Sequence, residues 1–165
     1  MEALARCFGV FVAAIHYRLH QRSVIPRQAG SVRKYQVNDN FFASIDTEPK
    51  AYWLGFIAAD GSITGRNFNT LSIGIAASDL EHLEAFKLAL ESNYPIHTWT
   101  IAGRNYVRID IYSRRIVETL ARHSIVPRKG PTLAWPALDP NLLPHYLRGY
   151  FDGDGWISSI IHRTG

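Results

Sequence analysis

The sequence is poor in cysteine and in long apolar runs. Cys7 is the only cysteine among 165 residues, so a disulfide within the chain and a cysteine-based metal site are both excluded. The apolar run at residues 7–15 is too short to cross a bilayer, and no small-residue cleavage pattern follows it. A glycine-rich phosphate loop is also missing. We therefore expect a cytoplasmic protein with no membrane partner and no small-molecule cofactor.

The positive charge of the chain is unevenly distributed. The formal net charge is +4, and 47% of the residues are hydrophobic, a balance typical of a globular protein. Residues 1–38 contain six Lys or Arg and one acid, and residues 101–129 contain seven against two. Two basic blocks favour a phosphate-rich partner. Basic surfaces also occur in proteins that bind no nucleic acid, so charge alone does not decide the function.

One stretch of the chain occurs twice. Residues 51–63 and 145–157 lie 94 positions apart, and aligned they share a tyrosine, a glycine, an Asp-Gly pair and an isoleucine. Each copy is otherwise almost wholly apolar, which predicts a buried helix. Gly55 and Gly149 occupy the middle of these helices, where a small residue lets a partner helix approach closely. We therefore expect the two copies to pack against each other.

Both copies end on an aspartate followed by glycine. An ionisable side chain at the end of an apolar helix is costly to bury, although Asp-Gly also serves simply to end a helix. If the helices pack with their ends level, Asp60 and Asp154 become neighbours and repel each other, which favours a cation between them. Paired carboxylates predict a hard divalent ion, Mg²⁺ first and Mn²⁺ as a substitute.

Two other metal sites are excluded by spacing. A calcium loop starting at Asp152 would need an oxygen ligand, a glycine and a glutamate where the chain has Trp156, Ile157 and Arg163. The seven histidines show no zinc-ligand spacing that a third ligand completes, so no role is assigned to them.

The two copies resemble the signature helices of the LAGLIDADG homing endonucleases. The first reads Trp-Leu-Gly-Phe-Ile-Ala-Ala-Asp-Gly over residues 53–61, and the second reads Leu-Arg-Gly-Tyr-Phe-Asp-Gly-Asp-Gly over residues 147–155. The first copy has Ala58 at the earlier aspartate of the motif, and the second keeps Asp152. In this family the later aspartate binds metal, and both copies retain it. Two copies indicate the double-motif, single-chain type.

The resemblance implies an activity and a further site residue. The activity is Mg²⁺-dependent, site-specific cleavage of double-stranded DNA, as in intron or intein homing. It also implies that Lys129 lies beside the metal and acts in catalysis with Asp60 and Asp154. A solvated loop lysine is the alternative for Lys129. The rival functions are a non-catalytic DNA-binding regulator or an RNA-splicing maturase on the same scaffold, and a structural protein that dimerises through its apolar helices.

The chain between the two copies alternates between strand and helix patterns. Strands are predicted at residues 62–66, 70–77, 96–101 and 104–112. A capping box at Ser78 predicts a helix there, Ser113 caps another, and Thr47 with Pro49 begins the first signature helix. This order is typical of an α+β fold, and the resemblance implies an αββαββα unit with an antiparallel sheet.

The strand at residues 104–112 predicts how nucleic acid is read. Its Val107, Ile109 and Ile111 share one face, while Tyr106, Arg108, Asp110 and Tyr112 share the other. A strand that presents Arg, Asn and Tyr can enter a major groove, although antiparallel sheets commonly turn a polar face to water. The predicted DNA contacts are Arg18, Arg22, Arg66, Asn67, Arg104, Asn105, Tyr106, Arg108, Arg114, Arg115 and Arg128.

Four segments are predicted along the chain. Residues 1–27 resemble part of a helix-turn-helix, and residues 28–46 read as a basic linker whose Phe41, Phe42 and Ile45 pack on the main domain. Residues 47–138 form the first αββαββα half, and residues 139–165 hold the second signature helix and the start of a second half that is largely missing. We expect a truncated frame, a monomer when full length, self-association of the shorter chain, and weak or absent specific cleavage by this chain alone.

Overall fold

A computed structural model describes residues 33–65 and 67–155, with the backbone alone for Pro131. The elements follow the predicted αββαββα order, and the α+β fold class is confirmed. They are α1 (Glu48–Asp60), β1 (Gly61–Thr64), β2 (Thr70–Ala76), α2 (Leu80–Ala89), β3 (Ile96–Ile101), β4 (Arg104–Tyr112), α3 (Arg114–Ala121) and α4 (Leu143–Asp154), with 3₁₀ turns at Ala77–Asp79 and Gly130–Thr132.

The chain divides into two compact units, Met1–Lys34 and Tyr35–Gly165, and all the elements above belong to the second. The predicted helix-turn-helix with Arg18 and Arg22 lies outside the described residues, as does Arg66. Residues 35–46, which the sequence assigns to a linker, belong to the second unit and pack on its core. Phe42 is fully buried there, and the backbone N–H of Asn38 donates to the carbonyl of Leu90 at 2.9 Å.

The four strands form one antiparallel sheet in the order β1-β2-β4-β3. Successive side chains of a strand point to opposite faces, so a single face collects the apolar residues. That face carries Leu71, Ile73, Val107, Ile109 and Ile111, each of which has at most 1% of its surface exposed. Helices α2 and α3 supply the other side of this core through Leu83, Phe86, Ile116 and Leu120. The opposite face of the sheet is open, as the alternation of β4 predicts.

The helix starts follow the sequence only in part. The Ser113 hydroxyl accepts from the backbone N–H of Ile116 at 3.1 Å, which confirms the predicted cap of α3. The capping box at Ser78 is wrong, because the 3₁₀ turn Ala77–Asp79 precedes α2 and the Ser78 hydroxyl donates to Asp79 instead. Thr47 does stand at the start of α1, but within the described chain its side chain accepts no capping hydrogen bond.

Candidate functional site: the foot of a helix pair and an open sheet face

Helices α1 and α4 pack backbone to backbone at their two glycines. A Cβ built on Gly55 would lie 2.0 Å from the carbonyl oxygen of Tyr146, and a Cβ built on Gly149 would lie 1.9 Å from that of Tyr52. Each glycine of one copy therefore faces the tyrosine of the other. This reciprocal contact gives the pair a local two-fold symmetry, because the two sequence copies meet at equivalent positions.

The contact continues to the end of both helices. A Cβ on Gly153 of α4 would lie 2.5 Å from the Ala59 Cβ and 3.1 Å from the Asp60 Oδ2. Asp60 is the last residue of α1 and Asp154 is the last residue of α4. The seam thus ends with its two aspartates side by side, the arrangement that the sequence repeat predicts.

The charge of Asp154 acts on Asp60. Burial raises the pKa of Asp60 above its ordinary value, and the neighbouring charge of Asp154 raises it further. The positive charge of Lys129 acts in the opposite direction. A cation between the carboxylates would relieve this repulsion, since it stabilises both of them in the ionised form.

Lys129 lies on the end of α1. Its ammonium donates to the carbonyl oxygen of Ala59 at 3.0 Å and also to the carbonyl oxygen of Gly61. Burial lowers the pKa of the Lys129 ammonium, and Asp154 and Asp60 act to raise it. The side chain therefore caps the helix terminus and places a positive charge beside the two carboxylates.

The donor set fits a hard divalent cation. Two carboxylates at one point supply the oxygen ligands that Mg²⁺ takes from proteins, with water and phosphate oxygens completing its shell. Among residues 33–65 and 67–155, no group of three or more His, Cys, Asp or Glu is arranged to hold a metal.

The open face of the sheet gathers part of the predicted DNA contacts. Arg104, Tyr106 and Arg108 alternate along β4 and share this face. The β3–β4 turn consists of Ala102 and Gly103, both at positive φ (49° and 75°), so Arg104 already belongs to the strand. The polar side chains thus project from regular sheet and not from a loop tip.

The other predicted contacts lie elsewhere. Asn105 points to the opposite face of β4, where Thr100 donates to its Oδ1 at 2.7 Å. Arg114 and Arg115 are exposed on α3, which packs on the core side of the sheet and so across the core from Arg108. Arg128 is exposed beside Lys129, and it lines a cleft with Gly61 and Ser62. Asn67 is exposed in the β1–β2 loop.

Comparison with protein families gives one match. Residues 47–124, from the start of α1 to just beyond α3, match the model of a LAGLIDADG-like domain. The chain contains a LAGLIDADG-like domain. No curated protein matches the chain. A domain of this kind is typical of homing endonucleases and maturases. The matched segment includes Asp60, while Asp154 on α4 lies beyond it.

A polar network joins α1, α2 and α4 through Tyr52, His82 and Asp152. The Tyr52 hydroxyl donates to Asp152 at 2.6 Å and lies 3.2 Å from His82 Nε2. Burial raises the pKa of Tyr52 and the hydrogen bond to Asp152 raises it further. The Arg148 guanidinium lies 4.8 Å above the Tyr52 ring. No motif in the sequence predicts a role for His82, and the one local signal of this network is that the second copy has Asp152 where the first has Ala58.

Removing the Tyr52 hydroxyl tests this network. In Tyr52→Phe the ring still fills the seam, but Asp152 loses a half-buried donor. A hydrogen bond to a charged group contributes about 1.5–3 kcal/mol. Because Asp152 is exposed and water can replace the lost donor, we expect a smaller loss of stability, about 1 kcal/mol. Urea unfolding measures it. Tyr150→Phe is the matched control on α4, and equal stability of the two variants would contradict the assignment.

None of the helices in the described part of the LAGLIDADG-like domain and its flanks is long and apolar enough to cross a membrane.

A cleft of about 740 Å³ lies beside Asp60, with Asp79, His82, Asp152 and Gly74 in its wall. The cleft leads from Asp60 toward β2, whose Gly74 is exposed on the open sheet face. The end of α1 and the open sheet face thus adjoin each other.

Proposed function

We propose that this protein is a site-specific endonuclease of double-stranded DNA that hydrolyses phosphodiester bonds with a divalent metal. The observation that carries the proposal is the meeting of Asp60 and Asp154 at the foot of the α1–α4 seam, where burial and mutual repulsion raise the pKa of Asp60. Two carboxylates at the same end of two packed helices repel each other, and this repulsion is costly unless a positive charge offsets it.

Each residue has a defined part in this proposal. Asp60 and Asp154 would hold Mg²⁺, or Mn²⁺ in its place. When bound, such an ion polarises the scissile phosphate and lowers the pKa of a bound water. Lys129, fixed by the carbonyls of Ala59 and Gly61, holds a positive charge near the phosphate and offsets the negative charge that develops there. Arg104, Tyr106 and Arg108 hold the duplex against the open sheet face.

The proposed test separates DNA binding from cleavage. Duplexes that the full chain retains from a randomised library in EDTA are cloned into supercoiled plasmid and incubated with the protein in Mg²⁺ or EDTA. We expect nicking in Mg²⁺ alone. Affinity for the duplex should also fall steeply with salt, because lysine and arginine contacts to phosphate displace counterions.

The other outcomes discriminate between the rival functions. Salt-dependent binding without Mg²⁺-dependent nicking would contradict the nuclease proposal and favour the regulator or maturase. The absence of salt-dependent binding would contradict both and favour a structural role for the helix pair.

A further inference from the structure

The open sheet face also carries Trp99, for which no sequence motif predicts a role. Trp99 stands on β3 opposite Tyr106 of β4, and the two rings stack at 5.6 Å with 21° between their planes. A Cβ built on Gly74 of β2 would lie 3.4 Å from Trp99 Cη2. The indole therefore lies across β4 and reaches β2, and the missing side chain at Gly74 makes room for it.

Arg108 is held between this indole and a carboxylate. Its guanidinium carbon lies 5.5 Å from the Trp99 ring centre, and its Nε lies 3.1 Å from the Oδ2 of Asp110. Arg108 and Asp110 are two positions apart on one strand, so both point to the open face. Half of the Arg108 side chain stays exposed, against 23% for Asp110. The contacts thus fix the stem and one edge of the guanidinium and leave the side chain accessible.

Stability does not explain this arrangement well. Ion pairs at a protein surface contribute little to folding, and cation–π contacts at exposed sites are also weak. What the two contacts do is reduce the number of rotamers open to a long, flexible side chain. A side chain already ordered before binding loses less entropy when it binds, which increases both affinity and selectivity.

We propose that Trp99 and Asp110 are positioning residues that orient Arg108 toward the O6 and N7 of a guanine in the major groove. The inference rests on the DNA binding in the proposed function. The ion pair engages Nε, and the terminal amino groups form the edge that pairs with guanine in a bidentate manner. Gly74 supports the same arrangement, because a built Cβ there already reaches van der Waals contact with the indole and a side chain larger than alanine would extend into its space.

The experiment is selection from a randomised duplex library in EDTA by the full chain, followed by sequencing. Arg108→Ala identifies the column of the recovered motif that this side chain reads. Wild type should enrich guanine in that column by roughly tenfold or more, the effect of one good bidentate contact. Trp99→Leu and Gly74→Val should remove most of this enrichment and leave the other columns unchanged, while Asp110→Asn should weaken it.

Thr98→Val is the matched control, because Thr98 is exposed on the same strand but on the opposite face of the sheet. It should leave the whole motif unchanged. Trp99→Leu and Gly74→Val variants that keep the guanine preference would overturn the inference. So would a uniform loss across all columns in every variant, since this is what a merely structural role produces. A wild-type library without any motif would overturn the proposed function itself.

Discussion

Replacing Gly149 by alanine is expected to destabilise the protein strongly, because the added methyl group would meet the backbone of the partner helix. The new Cβ would lie 1.9 Å from the Tyr52 carbonyl oxygen and 3.0 Å from the Phe56 nitrogen, and both are backbone atoms of α1. Backbone cannot rotate away as a side chain does, so the helices must separate. Overpacking typically costs about 1–3 kcal/mol, and this contact belongs at or above the upper limit.

The sign of this effect is informative because helix propensity acts against it. Alanine is favoured over glycine inside a helix by about 1 kcal/mol, so an exposed helix would gain stability from the same change. A net loss of about 3 kcal/mol corresponds to a fall in Tm of roughly 6–12 °C for a domain of this size. Circular dichroism melting curves measure it, and Gly55→Ala should behave alike because its Cβ would lie 2.0 Å from Tyr146 oxygen.

Gly130→Ala is the matched control. A Cβ at Gly130 has open space around it, and no positive φ is recorded there in the described chain. Its stability should stay within about 0.5 kcal/mol of wild type, as for most surface changes. Equal melting temperatures for Gly149→Ala and Gly130→Ala would show that the two signature helices do not pack at their glycines.

The second large effect is expected from the carboxylates. Asp60→Asn and Asp154→Asn should each lower the Mg²⁺-dependent nicking rate by at least about 100-fold, since even residues that only support a metal ligand cost 10–100-fold when changed. DNA affinity in EDTA should stay the same or rise, because a negative charge has been removed. Single-turnover nicking assays and equilibrium binding to the same duplex separate the two quantities.

Asp79→Asn provides the control for these variants. Asp79 lines the same cleft and its charge also raises the pKa of Asp60, but it follows β2 and is not at the end of either signature helix. Nicking should be affected far less. A loss as large as that of Asp60→Asn would indicate that general negative potential matters and not a ligand pair.

Asp60→Asn should raise the stability of the metal-free protein, although it lowers the nicking rate. The folded-state pKa of Asp60 is raised, so the folded protein binds this proton more tightly than the unfolded chain does. Metal-free protein therefore loses stability as pH rises through the folded-state pKa of Asp60. Asp60→Asn removes that loss, so above neutral pH its Tm without metal should exceed that of wild type.

Local signals in the sequence predict the elements well. The alternation in β4, the serine at the start of α3 and the doubled apolar run each depend on neighbours within a few residues or on an obvious repeat. The predicted capping box at Ser78 is wrong for a local reason. A tight 3₁₀ turn occupies Ala77–Asp79, so α2 begins only at Leu80 and the Ser78 side chain never reaches its first turn.

The positions of side chains across elements are harder to predict. Arg114 and Arg115 share a basic block with Arg108 in the sequence, yet the core separates them in space because α3 turns back under the sheet. Trp99 stands in a short strand without any motif, and its role depends on Gly74 and Arg108, which come from two other strands. Contacts of this kind follow from strand order, which local periodicity does not encode.

The proposed site requires that one divalent cation contact Asp60 and Asp154 together. When Fe²⁺ replaces Mg²⁺, added hydrogen peroxide oxidises the bound iron and releases hydroxyl radicals, and ascorbate reduces the iron again. The radicals cut the backbone next to the bound ion, and mass spectrometry locates the cuts. We expect two cuts, one beside Asp60 and one beside Asp154, both suppressed by excess Mg²⁺ and both lost in Asp60→Asn. Cuts at only one of the two aspartates, or at neither, would contradict the account.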